Sequence, residues 1–140
     1  MKPVLYLAAP LFSHSEKAFN EQLARILSEK FEIFLPQRDN HLIVDLIASG
    51  MSVEDARRKV FDGDLAAVRS CDILFAVLDG RSVDEGTCFE LGYAHALGKA
   101  CIGLQTDPRR LLPIGNNPML EGTLTRVLHS LDEVVAWSTP

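Results

Sequence analysis

The chain has 140 residues, a net charge of −5, 47% apolar and 24% charged residues, the balance of one ordinary globular domain spanning residues 1–140. With no basic run longer than Arg57-Arg58-Lys59 it lacks the cationic face that nucleic acid polymers require. Its three cysteines, Cys71, Cys88 and Cys101, lie far apart without a C-x-x-C pair, which argues against a disulfide framework or zinc site and fits reduced thiols in a cytoplasmic protein.

In chain order, Pro3 to Ala9 is a continuous apolar run, as expected of a strand covered on both faces. It is too short to span a membrane, although the run alone leaves a short signal peptide open. Ser13-x-x-Glu16 is the pattern of a capping box, opening a helix to about Lys30 with Phe19, Leu23, Ile26 and Leu27 on one face. Phe31 to Leu35 reads as a second strand stopped by Pro36, and Gln37 to Asn40 as a polar loop. His41 to Ser49 forms a short helix capped by Gly50. Ser52 caps a longer helix that runs to about Ser70. Ile73 to Leu78 is a third strand, Asp79 to Gly86 a polar loop, Thr87 to Leu97 a helix closed by Gly98, and Ala100 to Gln105 a fourth strand. After a loop over 106–117, Pro118 starts a helix ending near Ser130, and Glu133 to Trp137 is the fifth strand.

Strands alternating with helices imply a parallel sheet covered on both sides. The fold class is α/β, flavodoxin-like (Rossmann-like), with five parallel strands in the order 2-1-3-4-5. Ligands of such sheets bind beyond the carboxyl ends of the strands, at the switch point between strands 1 and 3. The loops after Ala9, Leu35 and Leu78 then surround one crevice, with the loop after Gln105 nearby.

Three acids break the local pattern near that crevice. Glu90 lies in the first turn of a helix that is otherwise apolar (Cys88, Phe89, Leu91, Tyr93, Ala94, Ala96, Leu97), and such helices are buried. An acid there is costly unless it is used or satisfied; its simpler role is to complement the helix dipole. Asp64 sits at the edge of the Phe61, Leu65, Val68 stripe, where the simpler reading is a partly buried acid paired with an arginine. Asp84 lies in the loop after strand 3. Carboxylates alone would suit Mg²⁺ or Ca²⁺. The alternative is glycosyl chemistry, in which one carboxylate attacks the anomeric carbon while another group handles the leaving-group proton. G-x-G-x-x-G and G-x-x-x-x-G-K-[ST] are both absent, which removes dinucleotide and P-loop readings.

The segment Asp84-x-Gly86-x-x-x-Glu90-Leu91-Gly92-Tyr93-Ala94 resembles the D-x-G-x-x-x-E-L-G-Y-A pattern of the nucleoside 2-deoxyribosyltransferase family. Tyr6 through Phe12 resembles that family's Y-x-x-x-x-x-F segment, Asp64 matches its helix aspartate before the third strand, and Asn117-Pro118-Met119 its N-x-M segment. The resemblance implies exchange of 2-deoxyribose between nucleobases, with 2′-deoxynucleosides and free purine or pyrimidine bases as partners and neither metal nor cofactor. Glu90 would be the nucleophile at C1′, Tyr6 would orient it, and Asp64 and Asp84 would contact the base and protonate its leaving nitrogen. Phe12 would pack on the nucleoside, with Gly86 beside it. Asn117 would grip the 5′-hydroxyl and Met119 line the pocket, both reaching the site of a neighbouring subunit in a homo-oligomer. Gln37 and Asn40 correspond loosely to the base-reading loop. Some relatives place a C-terminal tyrosine in the site; here the sequence reads Trp137-Ser138-Thr139-Pro140, so that contact is absent or replaced.

Two other readings stay open. A 2′-deoxynucleoside 5′-monophosphate N-glycosidase would use water as acceptor, but needs phosphate donors where this chain has Asn117 and Met119, and a neutral amide suits a free hydroxyl better. A nucleotide-sensing domain without catalysis is possible on any fold.

Overall fold

The computed structural model describes residues 1–109 and 112–138. Five parallel strands form one sheet: β1 (Val4–Ala8), β2 (Glu32–Phe34), β3 (Ile73–Val77), β4 (Ala100–Leu104) and β5 (Arg126–Leu128), in the order β2-β1-β3-β4-β5. The flavodoxin-like order expected from the alternation is the observed one. β1 is in register with β3 from Leu5 opposite Ile73 to Ala8 opposite Ala76.

Because side chains alternate along a strand, β1 and β3 feed two separate cores. Leu5, Leu7, Phe75 and Val77 join Leu23, Leu27, Ile102, Leu104 and Trp137 on one face. That core is covered by α1 (His14–Leu27) and α7 (Leu131–Ala136). Tyr6, Ala8, Leu74 and Ala76 join Val68, Leu91 and Ala94 on the other, under α4 (Val53–Ser70) and α5 (Glu85–Ala96). The remaining helices are short: α2 (Pro36–Asp39), α3 (Ile43–Ala48) and α6 (Pro118–Glu121).

Helix starts follow their signals. Ser13 Oγ accepts from Glu16 N, and the Glu16 carboxylate accepts from Ser13 N at 2.7 Å, closing the capping box. Ser52 caps α4. Gly98, at φ +73°, closes α5 in a left-handed conformation that glycine adopts without steric cost.

Three local expectations are corrected. Gln37 to Asn40 is not a loop: Pro36 opens a helical turn, and the Asp39 carboxylate accepts from Leu35 N at 2.8 Å. The helix from Pro118 stops after one turn at Gly122, and Arg126–Leu128 is the fifth strand. Glu133 to Trp137 is then not a strand, because Ser130 caps α7 by accepting from Glu133 N, while the Glu133 carboxylate accepts from His129 N. Helix α5 is not buried all round either: Leu91 and Ala94 are enclosed, but Phe89 and Leu97 are 54% and 44% exposed. Among the described residues no helix is long and apolar enough to cross a membrane.

Candidate active site

A cavity of about 610 Å³ opens beside the carboxyl ends of β1 and β2, walled by α3, α4 and the start of α5. That volume is in the usual range for a small organic ligand. Its walls are largely apolar, with Phe12, Leu42, Ile43, Phe61 and Phe89 among them, and Asp64, Asp84 and Glu90 all line it. The fold therefore converges the three acids from α4 and α5.

Tyr6 reaches the same place from the middle of β1. It is fully buried and its ring stacks on Phe34 at 5.4 Å. Its hydroxyl lies beside the carboxylates of Glu90 and Asp64, and burial together with those two negative charges holds its pKa far above the usual phenol value. Neither the Tyr6 hydroxyl nor Glu90 Oε2 closes a well-formed hydrogen bond among the described residues, although both atoms are enclosed. Buried polar atoms normally have partners; the Tyr6 hydroxyl is left with the two carboxylates beside it, and of the two residues Glu90 is the one that lines the cavity, where a ligand can complete its contacts.

Glu90 as a residue is half-buried, but its carboxylate is deep. Loss of hydration pushes its pKa up to about 8; the nearby Tyr6 hydroxyl opposes this, while the charges of Asp64 and Asp84 add to it. Burial also raises the Asp64 carboxyl, against hydrogen bonding from Asn40 and the Tyr6 hydroxyl.

Asp84 is the N-cap of α5, not a free loop acid. Its Oδ2 accepts from Thr87 N at 3.0 Å and from Thr87 Oγ1 at 3.2 Å. Gly86 separates the acids of this helix. A Cβ built there would lie 3.2 Å from Asp84 Oδ2 and 3.9 Å from Glu90 Oε1. Gly86 and Glu90, four residues apart, share a face of the helix, and the Asp84 cap carboxylate folds over the same first turn, so both acids reach one cavity with no Gly86 side chain between them.

Asp64 is paired with an amide rather than an arginine. Asn40 Nδ2 donates to Asp64 Oδ1 at 2.7 Å. Gln37, grouped with Asn40 in the sequence reading, is not among the cavity-lining residues. Its Nε2 donates to Lys17 O and the Glu21 carboxylate, and its Oε1 accepts from Asn20 Nδ2 at 3.0 Å. It ties α2 to α1. Phe12 lines the cavity mouth and is 76% exposed.

Asn117 and Met119 stand apart from this cavity. Asn117 caps α6, accepting from Met119 N at 2.9 Å, and Met119 is 80% exposed. Asn117 borders a second cavity of about 320 Å³ with Arg81, Cys88 and Gln105. Trp137 does not replace a site tyrosine: it is buried on the opposite face of the sheet, against Phe31 at 4.9 Å and Phe75 at 5.6 Å. Thr139 and Pro140 lie outside the described residues. The sequence reading missed Lys17, His41, Arg57, Phe61 and Phe89, all of which line the cavity. The exposed ring pair Phe61 and Phe89, 6.1 Å apart, looked like core by its spacing.

Comparison with known proteins bears on the family and the fold. The model of the nucleoside 2-deoxyribosyltransferase family matches residues 5–132. A 2-deoxyribosyltransferase from Bacillus psychrosaccharolyticus has a similar fold, with TM-score 0.78 and 23% identity over 96% of this chain and 91% of that one. A 2-deoxyribosyltransferase from Leishmania mexicana gives 0.61 at 25% identity, over 96% and 95% of the two chains. A CMP N-glycosidase from Clostridium botulinum gives 0.60 at 24% identity, over 95% and 94%. No curated protein sequence matches significantly. A family match over nearly the whole chain, on a sheet of the expected order, leads to one conclusion: the chain belongs to the nucleoside 2-deoxyribosyltransferase family.

Proposed function

We propose that this protein moves 2-deoxyribose from a 2′-deoxynucleoside to a free nucleobase by two displacements at Glu90. The observation that carries the reading is the Glu90 carboxylate itself: enclosed, with Oε2 closing no well-formed hydrogen bond among the described residues, beside the Tyr6 hydroxyl and at a cavity that Asp64 and Asp84 also line. Glu90 attacks in its ionised form, which becomes the major one as pH rises through about 8; a poorly solvated carboxylate of that kind is a better nucleophile and gains most when positive charge develops next to it. Cleavage of the C1′–N bond passes through such an oxocarbenium-like state.

In the first step a Glu90 oxygen bonds to C1′ as the C1′–N bond breaks. The electron pair leaves on the base nitrogen, which takes a proton from Asp64 or Asp84. In the second, an incoming base nitrogen attacks C1′, the Glu90 ester bond breaks, and the proton returns to the aspartate. Two inversions retain the β configuration, and ping-pong kinetics follow. Tyr6 orients Glu90. Phe12 and the apolar walls stack on the base. Asn117 and Met119 serve a neighbouring copy, and the exposed Val44, Ile47, Val53, Phe61 and Phe89 along α3 to α5 supply apolar surface for such an assembly.

Incubation with deoxyinosine and adenine, followed by chromatography, should yield deoxyadenosine. Glu90→Ala should abolish the product while nucleoside binding stays measurable; retained turnover would remove Glu90 as nucleophile. One observation favours a second reading, hydrolysis of 5′-monophosphates: Lys17 and Arg57 line the cavity, and neither is ion-paired among the described residues. Turnover of deoxynucleoside monophosphates far above that of free nucleosides would establish it instead.

A further inference from the structure

Asn40 uses all its donors within the protein. One amide hydrogen goes to Asp64 Oδ1 at 2.7 Å and the other to Val60 O at 3.1 Å, while Asn40 Oδ1 accepts from His41 N at 2.8 Å. The amide orientation is fixed by these partners, since turning it over would face oxygen against two acceptors and a donor against a donor. No N–H remains to read a base.

Space for this amide comes from one position. Gly63 lies inside α4, where glycine weakens a helix relative to alanine. A Cβ at Gly63 would sit 2.7 Å from Asn40 Oδ1 and 2.9 Å from Nδ2, closer than real contacts allow, and 3.0 Å from Cγ, which is very tight. Gly63 and Asp64 are adjacent, so the residue that clears the space and the residue that receives the hydrogen bond come from the same turn.

We infer that Asn40 is a positioning residue that clamps one oxygen of Asp64 and leaves the other to the cavity, and that Gly63 is the clearance on which the clamp depends. The inference rests on the proposed role of Asp64 in moving the base proton. Clamping also favours the charged form of a carboxylate that burial disfavours. Tyr6 and Glu90 are the groups beside Asp64 from β1 and α5; Asp84, Lys17, His41 and Arg57 line the same cavity.

Three variants test it. Gly63→Ala should leave the thermal midpoint unchanged or higher, because the obstructing group is a side-chain end that can swing away, yet lower kcat on the order of ten-fold or more, the worth of one hydrogen bond to a charged group. Asn40→Asp keeps the acceptor for His41 N but sets a carboxylate against Asp64, and should lower kcat at least as much as Asn40→Ala. The losses should be the same for every base, with KM changing far less, and Gly63→Ala should add nothing to Asn40→Ala. Carboxyl NMR should show Asp64 titrating at higher pH in all three. Wild-type rates in Asn40→Asp would overturn the inference, as would a loss confined to one base or an unmoved Asp64 titration. If the wild type turned over no deoxynucleoside, the proposed function would fall, and the Asp64 titration would still decide the clamp.

Discussion

Replacing Glu90 by glutamine should stabilise the protein, and more so as pH rises. Burial lifts the Glu90 carboxyl from the 4.5 expected in the open chain to about 8. Between those values the folded state holds a proton that the unfolded state has released. Stability from this group is therefore fully present below pH 4.5 and is lost as pH climbs towards 8. A tenfold change in proton affinity corresponds to about 1.4 kcal/mol, giving a ceiling of about 5 kcal/mol by pH 8.5. Water entering the open cavity and relaxation around the ion reduce that, so the realised gain should be about 2 kcal/mol. Even this is a large part of the roughly 5–15 kcal/mol that holds a domain folded. Urea unfolding of wild type and Glu90→Gln at pH 5 and 8.5, at one protein concentration to hold any assembly constant, measures it. Subtracting the two curves cancels groups that titrate alike in both proteins. A stability difference that stays flat between the two pH values would refute the argument, because it would mean that Glu90 ionises freely.

Mixing inactive Glu90→Ala protein with inactive Asn117→Ala protein should restore part of the exchange activity if Asn117 completes a neighbour's site; no recovery after demonstrated subunit exchange would confine Asn117 to capping α6. Gln37→Ala removes three hydrogen bonds between α2 and α1 and should cost about 1–2 kcal/mol of stability, measured by urea unfolding, with KM for all bases unchanged. A base-selective rise in KM would return Gln37 to the site.

The sheet was legible because β1, β3 and β4 are continuous apolar runs with no competing pattern. The C-terminal third was less so. Glu133 to Trp137 has the apolar residues of a strand, but Ser130 and Glu133 supply a helix start, and with β5 taken by Arg126–Leu128 the run packs as a helix under Trp137. Local hydrogen bonding at one serine outweighed strand propensity over five residues, as expected where a helix end needs its donors satisfied.

The acids divide along a similar line. Glu90 stood out because burial of an acid conflicts with the apolar pattern around it, and conflict of that kind is visible in one dimension. Asp64 was found, but its partner was misjudged, since Asn40 lies 24 positions away and meets it only through Gly63. A glycine inside a helix carries no sign of what it makes room for. Its cost to the helix is the one signal that sequence offers, and at Gly63 that signal points to the residue whose carboxylate is held. The same logic applies at Gly86, where the missing side chain keeps Asp84 and Glu90 on one open face. In this chain the two glycines beside carboxylates say as much about the site as the carboxylates do, because each marks where a helix gave up a side chain to leave room at a carboxylate, for the Asn40 amide at Gly63 and for Asp84 and Glu90 at Gly86.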